Sequence, residues 1–403
     1  MHLAILTQQV SHYHAARFRA AHEAFRRITV LSVRNAADFA QLLAGPGVPS
    51  VTRVCEGEAD YAGALADGTL TERVGAALGR CRPDVVAVAG WSFAESLAAI
   101  VWAKRHGSAV VMMSDSQAHD GPRSGWRERV KSRVVRCADA ALVAGAPHRA
   151  YAAALGLDAE RIFLGYDAVD NAHFAGGADA ARAHAPATRA AEELPGRYLL
   201  ASGRFVAKKN LCGLIDAFAA ALAQGDTGHD LLVLGDGPER TALEAAVARH
   251  GLGARVHLPG FRDYNSLPAI YGLADAFVHV ARAEQWGLVI SEAAAAGVPL
   301  IVSRPCGAAD ALVRPGLNGW LVDPHDGAGV AAALAASMAL PAASRAAMGA
   351  ASRTIAADWG PERYADGLKR AVAAALAAPR RRLGPLDTVL LRALSRKRIA
   401  KVA

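Results

Sequence analysis

The sequence lacks any long hydrophobic segment. None of its 403 residues belongs to an apolar run of the roughly 18 residues that a membrane-spanning helix requires. The first residues, MHLAILTQQVSHYH, lack the charged start and the cleavage site of a signal peptide. We therefore expect no transmembrane helix and no secretory leader, and we predict that the chain opens with a β-strand.

Cysteine is scarce and metal-binding patterns are missing. The five cysteines are scattered, odd in number and never spaced as C-x-x-C; they are Cys55, Cys81, Cys137, Cys212 and Cys306. This pattern argues against a disulfide framework and a zinc framework and favours a reducing, cytoplasmic location. No Asp-x-Asp pair stands in a loop suited to a divalent ion. We expect no metal and no cofactor.

Positive charge is concentrated at one end of the chain. From Pro379 to Ala403 eight basic residues face one acid, Asp387, which accounts for +7 of the net charge of +8. The body of the chain is close to neutral and shows no basic and aromatic interleaving, so we expect no nucleic-acid partner. The eight basic residues are Arg380, Arg381, Arg382, Arg392, Arg396, Lys397, Arg398 and Lys401.

The same terminal segment, 379–403, has a helical apolar stripe made of Leu386, Val389, Leu390, Ala393 and Leu394. Two interpretations stay open. The stripe and its basic flanks could bind an anionic membrane surface peripherally. Alternatively, the segment could be a terminal helix packed on the protein body.

Short apolar runs alternate with helical patterns in both halves of the chain. Alternation of this kind predicts parallel sheets covered by helices on both faces. We predict two tandem doubly wound α/β domains, at 1–174 and 198–358, with a linker at 175–197 where the apolar periodicity is lost. Candidate strands span 3–7, 28–33, 84–90, 109–116, 138–145, 161–165, 198–203, 230–237, 255–260, 276–281 and 299–303.

The most informative stretch is ARAEQWGLVISEAAAAGVPLIV, which contains Glu284 and Glu292 with seven residues between them. The pattern predicts a strand, a loop with Glu284, a helix opened by Gly287, and a further strand. The first helical N–H groups, at Gly287, Leu288 and Val289, have no partner within the helix and favour an anion. Two solvated surface acids would have the same spacing, but the helix opening and the βαβ setting favour a binding site.

A second candidate lies in the loop after the predicted strand 198–203, GRFVAKKN, with Gly203, Arg204 and Lys209. Ligands of α/β proteins bind at the carboxyl edge of the sheet, where this loop begins. Arg204 and Lys209 are suited to a diphosphate and would stabilise charge on a leaving nucleotide diphosphate. The combined order is a hydroxyl-binding acid, an anion cradle and a second hydroxyl-binding acid. A nucleotide sugar has this layout of sugar, diphosphate and ribose.

These motifs, together with VLGDGPER, HLPGF and GLNGWLVDP, span 198–326. They resemble the retaining GT-B glycosyltransferases, specifically glycosyltransferase family four (group 1). The resemblance implies two Rossmann-like domains facing across a cleft and metal-independent transfer of a sugar, with retention, from a nucleotide-sugar donor, of which UDP-sugars are the commoner. It implies an acceptor-binding first domain, a glycan or lipid-linked acceptor, and a helix at 359–378 that crosses back to that domain.

Residue by residue, Arg204 and Lys209 match the diphosphate pair of the family, Glu284 its sugar-contacting acid and Glu292 its ribose-contacting acid. The first half departs from the family, because the opening loop has no glycine and Asp115 stands where a histidine is frequent. His14 and Asp115 are acceptor candidates by position. A nucleotide-sugar epimerase and a non-catalytic nucleotide-sugar binder remain as alternatives.

Overall fold

A computed structural model describes residues 1–34, 49–121 and 123–396, so Lys397, Arg398 and Lys401 of the basic tail lie outside the described residues. The chain divides into two compact units. The first comprises Met1–Ala168 and Pro361–Ala403, and the second Val169–Gly360. Each unit is built on its own sheet.

The sheet of the first unit has seven parallel strands among the described residues, in the order β3-β2-β1-β4-β5-β6-β7. Alternate residues of β1 enter two different cores, because successive side chains of a strand point to opposite faces. Ala4 and Leu6 belong to one core, and Leu3 and Ile5 belong to the other. The strands are β1 (Leu3–Thr7), β2 (Ile28–Ser32), β3 (Ser50–Arg53), β4 (Val85–Ala89), β5 (Ala109–Ser114), β6 (Ala140–Val143) and β7 (Ile162–Leu164).

Helices cover both faces of this sheet. They are α1 (His12–Ala24), α2 (Glu58–Ala66), α3 (Leu70–Cys81), α4 (Ala94–His106), α5 (Gly125–Val135) and α6 (Ala146–Ala154), joined by the C-terminal α16 (Pro361–Ala377) and α17 (Pro385–Ser395). Helix α16 buries Tyr364, Leu368 and Val372 in the core that also contains Leu3 and Ile5. The C-terminal helix α16 is thus an integral part of the first unit.

The second unit repeats the architecture with six parallel strands in the described residues, ordered β10-β9-β8-β11-β12-β13. The strands are β8 (Tyr198–Ser202), β9 (Asp230–Leu234), β10 (Val256–Gly260), β11 (Ala276–His279), β12 (Leu300–Ser303) and β13 (Gly319–Val322). The helices are α7 (Asn171–Ala183), α8 (Ala185–Ala191), α9 (Leu211–Gln224), α10 (Arg240–Arg249), α11 (Leu267–Gly272), α12 (Leu288–Ala296), α13 (Ala309–Leu312), α14 (Gly327–Met338) and α15 (Ala342–Ala357).

The predicted linker at 175–197 is wrong, because α7 and α8 occupy most of it within the second unit. The small residues that suggested a linker allow α7 to pack closely on α11. A Cβ at Gly177 would lie 2.5 Å from Cβ of Pro268, and one at Gly272 would lie 2.7 Å from Cα of Ala178. The chain passes from the first unit to the second at Ala168–Val169 instead.

The dipeptide Asn318–Gly319 lies where a turn leads into a strand. Gly319 begins β13, which pairs in parallel with β12. A Cβ at Gly319 would lie 1.9 Å from the carbonyl oxygen of Leu300, so the neighbouring backbone requires glycine. The Asn318 side chain is buried. Its Oδ1 accepts a hydrogen bond from the Arg314 amide, and its Nδ2 donates one to the Leu312 carbonyl.

Among the described residues, no single helix is long and apolar enough to span a membrane, although the bent pair Gly327–Met338 and Ala342–Ala377 meets that test together.

Candidate active site

The loop after β11 carries Glu284 in a fixed position. The carbonyl of Glu284 accepts a hydrogen bond from the Gly307 amide at 3.1 Å, and that of Trp286 accepts one from the Ala308 amide at 3.1 Å. The Trp286 side chain is buried, and its indole donates to the Ser291 hydroxyl at 3.1 Å. The loop is thus anchored on both sides of the acid.

The loop after β8 brings Lys209 to Glu284. Strands β8 and β11 are neighbours in the sheet, so their carboxyl-end loops meet at one edge. The Arg282 amide donates to the Lys208 carbonyl at 2.8 Å, and the Lys209 ammonium contacts the Glu284 carboxylate. The structure brings together these two predicted site residues, 75 positions apart in sequence.

Lys209 and Glu284 form a shielded ion pair above a buried histidine. Their side chains are only 13% and 12% exposed. His279, the last residue of β11, donates from Nε2 to Glu284 at 3.1 Å. Burial lowers the pKa of His279, so its imidazole is neutral near pH 7. Burial opposes ionisation of Glu284, but the His279 hydrogen bond and the charge of Lys209 outweigh it and lower the pKa of Glu284 to about 2.

Helix α12 begins directly after this pair. Gly287 precedes the helix with a φ of 93°, a left-handed conformation that favours glycine. A Cβ there would lie 2.9 Å from Cδ1 of Ile290 and 3.2 Å from Cγ of Glu284. Leu288 and Val289 form the first turn, which contains no acid. The positive end of the helix therefore lies beside Glu284 without a carboxylate of its own.

Glu292 is one turn further along α12, about 6 Å from Leu288 along the helix axis. It is buried, and its Oε2 accepts a hydrogen bond from the Tyr271 phenol at 2.7 Å. The sequence pattern gave no sign of this partner. Tyr271 fixes the orientation of the carboxylate, and a ribose contact by Glu292 stays a prediction.

Arg204 is exposed on the loop that contains Gly203 and Lys209. This loop contacts the turn after β9, where a Cβ at Gly235 would lie 2.1 Å from the carbonyl oxygen of Gly203. A Cβ at Gly237 would lie 2.5 Å from the carbonyl oxygen of Phe205. Glycines of the motif LGDGPER are therefore required by the approach of a neighbouring backbone.

The acceptor candidates lie in the first unit, on two different elements. His14, in the first turn of α1, has its Nδ1 2.9 Å from the Ser11 hydroxyl, and burial lowers its pKa to about 3. Asp115 follows β5, and burial, reinforced by the charge of Asp167, raises its pKa to about 7. Arg17 of α1 is buried and lies 3.4 Å from Asp167. His14 is thus a neutral side chain, whereas Asp115 is a half-buried acid near the buried charges of Asp167 and Arg17.

The sequence is similar to known sugar transferases. Residues 187–354, within the second unit, match the family model of glycosyl transferases group 1. The chain is 32% identical over 285 residues to glycogen synthase of Mycobacterium tuberculosis, an alignment covering 69% of this chain and 66% of that enzyme. Residues 187–354 thus form a group 1 glycosyltransferase domain.

Solved structures agree with this family in fold. HepE of Anabaena, crystallised with UDP and glucose, aligns with a TM-score of 0.70 at 20% identity and covers 91% of this chain and 98% of HepE. Sucrose-phosphate synthase of Thermosynechococcus elongatus gives a TM-score of 0.71 at 20% identity, with 91% and 96% covered. The predicted two-domain α/β GT-B fold is confirmed.

Two side chains of this glycosyltransferase site were not predicted from the sequence. His279 had a usable signal, since it is a polar residue at the carboxyl end of a buried strand, five positions before Glu284. Asn210 had a weaker one. It adopts a left-handed conformation with a φ of 57° and donates to the Pro324 carbonyl at 3.0 Å, which fixes the end of the Lys209 turn.

Proposed function

We propose that this protein is a retaining, metal-independent hexosyltransferase. It moves a sugar from a nucleotide-sugar donor, preferentially a UDP-sugar, to a glycan or lipid-linked acceptor in cell-surface polysaccharide or glycolipid synthesis. The observation that carries the proposal is the shielded Lys209–Glu284 pair beside the acid-free start of α12. HepE, which has a similar fold, was crystallised with UDP and glucose, and this supports a uridine donor.

The donor diphosphate binds, in this proposal, to the backbone N–H groups of Gly287, Leu288 and Val289 and to the cations Lys209 and Arg204. Lys209 already lies at this corner, held by Glu284. A diphosphate gives Lys209 a second anionic partner without moving it away from the acid. The cations and the helix start then stabilise charge on the departing nucleotide diphosphate.

Glu284 accepts hydrogen bonds from hydroxyl groups of the transferred sugar, and Glu292 from the ribose. The low pKa of Glu284 keeps it ionised, so it acts as an acceptor and not as a proton donor. In the transfer step the bond from the anomeric carbon to the diphosphate oxygen breaks. A bond to the acceptor oxygen forms on the same face, and the acceptor proton passes to the leaving phosphate.

The acceptor binds to the first unit in this proposal, with His14 and Asp115 as candidate contacts. The enzyme works in the cytoplasm, peripherally at the inner face of the membrane, with segment 379–403 as the anionic-lipid contact. The described part of that segment is α17 with the arginines that flank it.

A panel of nucleotide sugars tests the proposal. We expect a UDP-sugar to raise the melting temperature most, since a ligand bound only to the folded state stabilises it. With that donor and an accepted glycan, nucleotide diphosphate is released, nuclear magnetic resonance shows the anomeric configuration retained, and a chelator leaves the rate unchanged. A donor that is converted to its epimer without release of nucleotide would contradict the proposal.

A further inference from the structure

The C-terminal helix α17 packs on the first unit by one side only. Leu391 and Ser395 are buried, and Leu394 packs against the core of that unit. Leu386 and Val389 remain 71% and 67% exposed. Residues three and four apart lie on the same side of a helix, so Leu386 and Val389 form an outward apolar strip. The stripe seen in the sequence is thus divided between the protein core and the solvent.

Helix α5 also exposes a large apolar side chain on its outward side. Trp126 is 66% exposed, the highest value among the large aromatic side chains of the described part of the first unit. Arg129 and Arg133 follow at three and seven positions, which places them on the side of α5 that carries Trp126. Both arginines are exposed. An exposed tryptophan on a basic helix is typical of proteins that bind at a membrane interface.

An ion pair joins the two helices. The Arg133 guanidinium lies 2.9 Å from the Asp387 carboxylate near the start of α17. Since Trp126 lies two turns from Arg133 on the same side, the outward sides of α5 and α17 are neighbours. We call Trp126, Arg129, Arg133, Leu386, Val389 and Arg392 together the α5–α17 face.

The net charge around the α5–α17 face is positive. The acids of the two helices are Glu128 and Asp387, and each is held by cations of the first unit. Glu128 pairs with Arg123 at 3.1 Å and with Lys131 at 2.9 Å, and Asp387 pairs with Arg133. Arg127, Arg129, Arg380, Arg381, Arg382, Arg392 and Arg396 remain to give the surface its positive potential.

We propose that the α5–α17 face is a docking surface for an anionic lipid bilayer. Trp126, Leu386 and Val389 enter the membrane–water interface, and the arginines contact lipid phosphates. The inference rests on the membrane part of the proposed function and extends it from the tail to a surface made by two helices. Such a surface suits a lipid-linked acceptor, because it holds the first unit at the membrane where that acceptor is found.

Cosedimentation of the full chain with vesicles tests this surface. We compare vesicles of phosphatidylcholine with phosphatidylglycerol against vesicles of phosphatidylcholine alone. Wild type should bind the anionic vesicles only, and less at high salt. Trp126→Ala should bind about tenfold more weakly, because interfacial burial of an aromatic ring is lost. Arg129→Ala should bind about fivefold more weakly, in keeping with one basic contact.

Two matched variants are the controls. Phe261→Ala removes an aromatic side chain that is 73% exposed in the second unit. Arg370→Ala removes an arginine that is 65% exposed on α16. Both should bind like wild type. Equal weakening by control and test variants, wild-type binding by both test variants, or equal binding to neutral vesicles would overturn the proposal. Self-association that Trp126→Ala abolishes would instead identify a second copy as the occupant.

The donor site gives an independent readout in the same samples. UDP should raise the melting temperature of Trp126→Ala, Arg129→Ala and Arg370→Ala as it does that of wild type. If wild type fails to bind the anionic vesicles but still responds to UDP, the docking surface alone is refuted. Retained vesicle binding with no response of the wild type to UDP or to any nucleotide sugar would count against the proposed transfer.

Discussion

The change Glu284→Gln tests the proposed donor site because it removes one charge and little volume. Glu284 is ionised, pairs with Lys209 and accepts a hydrogen bond from His279. A glutamine retains an oxygen that can accept from His279 but leaves the Lys209 charge uncompensated in a half-buried position. In this variant the positive charge of Lys209 is compensated only when an anion binds beside it.

Three magnitudes follow from this geometry. Removing one partner of a buried ion pair lowers the free energy of unfolding by about 3–5 kcal/mol. Replacing the acid by an isosteric amide should lower it less, by about 2 kcal/mol. For a unit of this size that loss lowers the melting temperature by roughly 4–8 °C. Two unit charges at roughly 6 Å repel by about 3 kcal/mol at an effective dielectric constant of 20. Removing the negative charge of Glu284 therefore strengthens binding of the diphosphate. The same substitution removes a sugar contact made in the transition state, which lowers turnover by about a hundredfold.

Thermal shift with UDP and a UDP-release assay with the accepted donor measure these effects. We expect the variant to melt earlier than wild type, to gain more stability from UDP, and to turn over slowly. Glu244→Gln is the matched control, since Glu244 is an exposed acid on α10 that pairs only loosely with Arg240 at 3.6 Å. Turnover within about threefold of wild type in Glu284→Gln would refute the assigned role of Glu284.

Three further predictions concern other residues of the two units. Lys209→Ala should weaken UDP binding by about 10–100-fold, because a charge-assisted hydrogen bond is lost; titration calorimetry checks this, and unchanged affinity would contradict it. Glu292→Gln should weaken UDP about tenfold but leave inorganic diphosphate binding unchanged, and an equal loss for both ligands would argue against a ribose contact. Asp115 binds its proton more tightly in the folded state, so its contribution to stability falls as pH rises from 3.8 to about 7. Asp115→Asn should therefore flatten the dependence of the melting temperature on pH over this range, whereas Asp366→Asn, at an exposed acid of α16, should not. An unchanged slope in Asp115→Asn would refute the linkage.

Much of the second unit could be predicted from the sequence because its signals are local. Strands buried on both faces appear as continuous apolar runs, and Gly287 and Gly297 bracket α12 with left-handed conformations. The helix that was predicted to open at Gly287 begins at Leu288. Glu284 and Lys209 could be placed at one corner because the loops of parallel strands open at one edge of the sheet.

Other features depend on contacts that no local pattern contains. The predicted linker 175–197 is helical because Gly177 and Ala178 fit against α11. β3 was not predicted, because Ser50–Arg53 is a half-exposed edge strand without an apolar run. Leu386 and Leu394 belong to one stripe in the sequence, yet only Leu394 meets the body of the first unit. Each difference arises from tertiary packing that overrides local composition.

Three site assignments rest on the position of a residue in the sequence. Arg204 is exposed, and its role rests on its place in the loop with Lys209. The low pKa of His14 and the high pKa of Asp115 come from burial within the first unit, which is a structural property. Their roles as acceptor contacts remain predictions, to be tested once an acceptor is known.

A crystal structure of the protein soaked with UDP-glucose is the most direct test of the proposed donor site. We expect diphosphate oxygens within hydrogen-bond distance of the backbone amides at the start of α12 and of the Lys209 ammonium. We also expect the glucose against Glu284 and the ribose against Glu292. A nucleotide bound elsewhere in the second unit, with the Lys209–Glu284 corner empty, would contradict the proposed donor site.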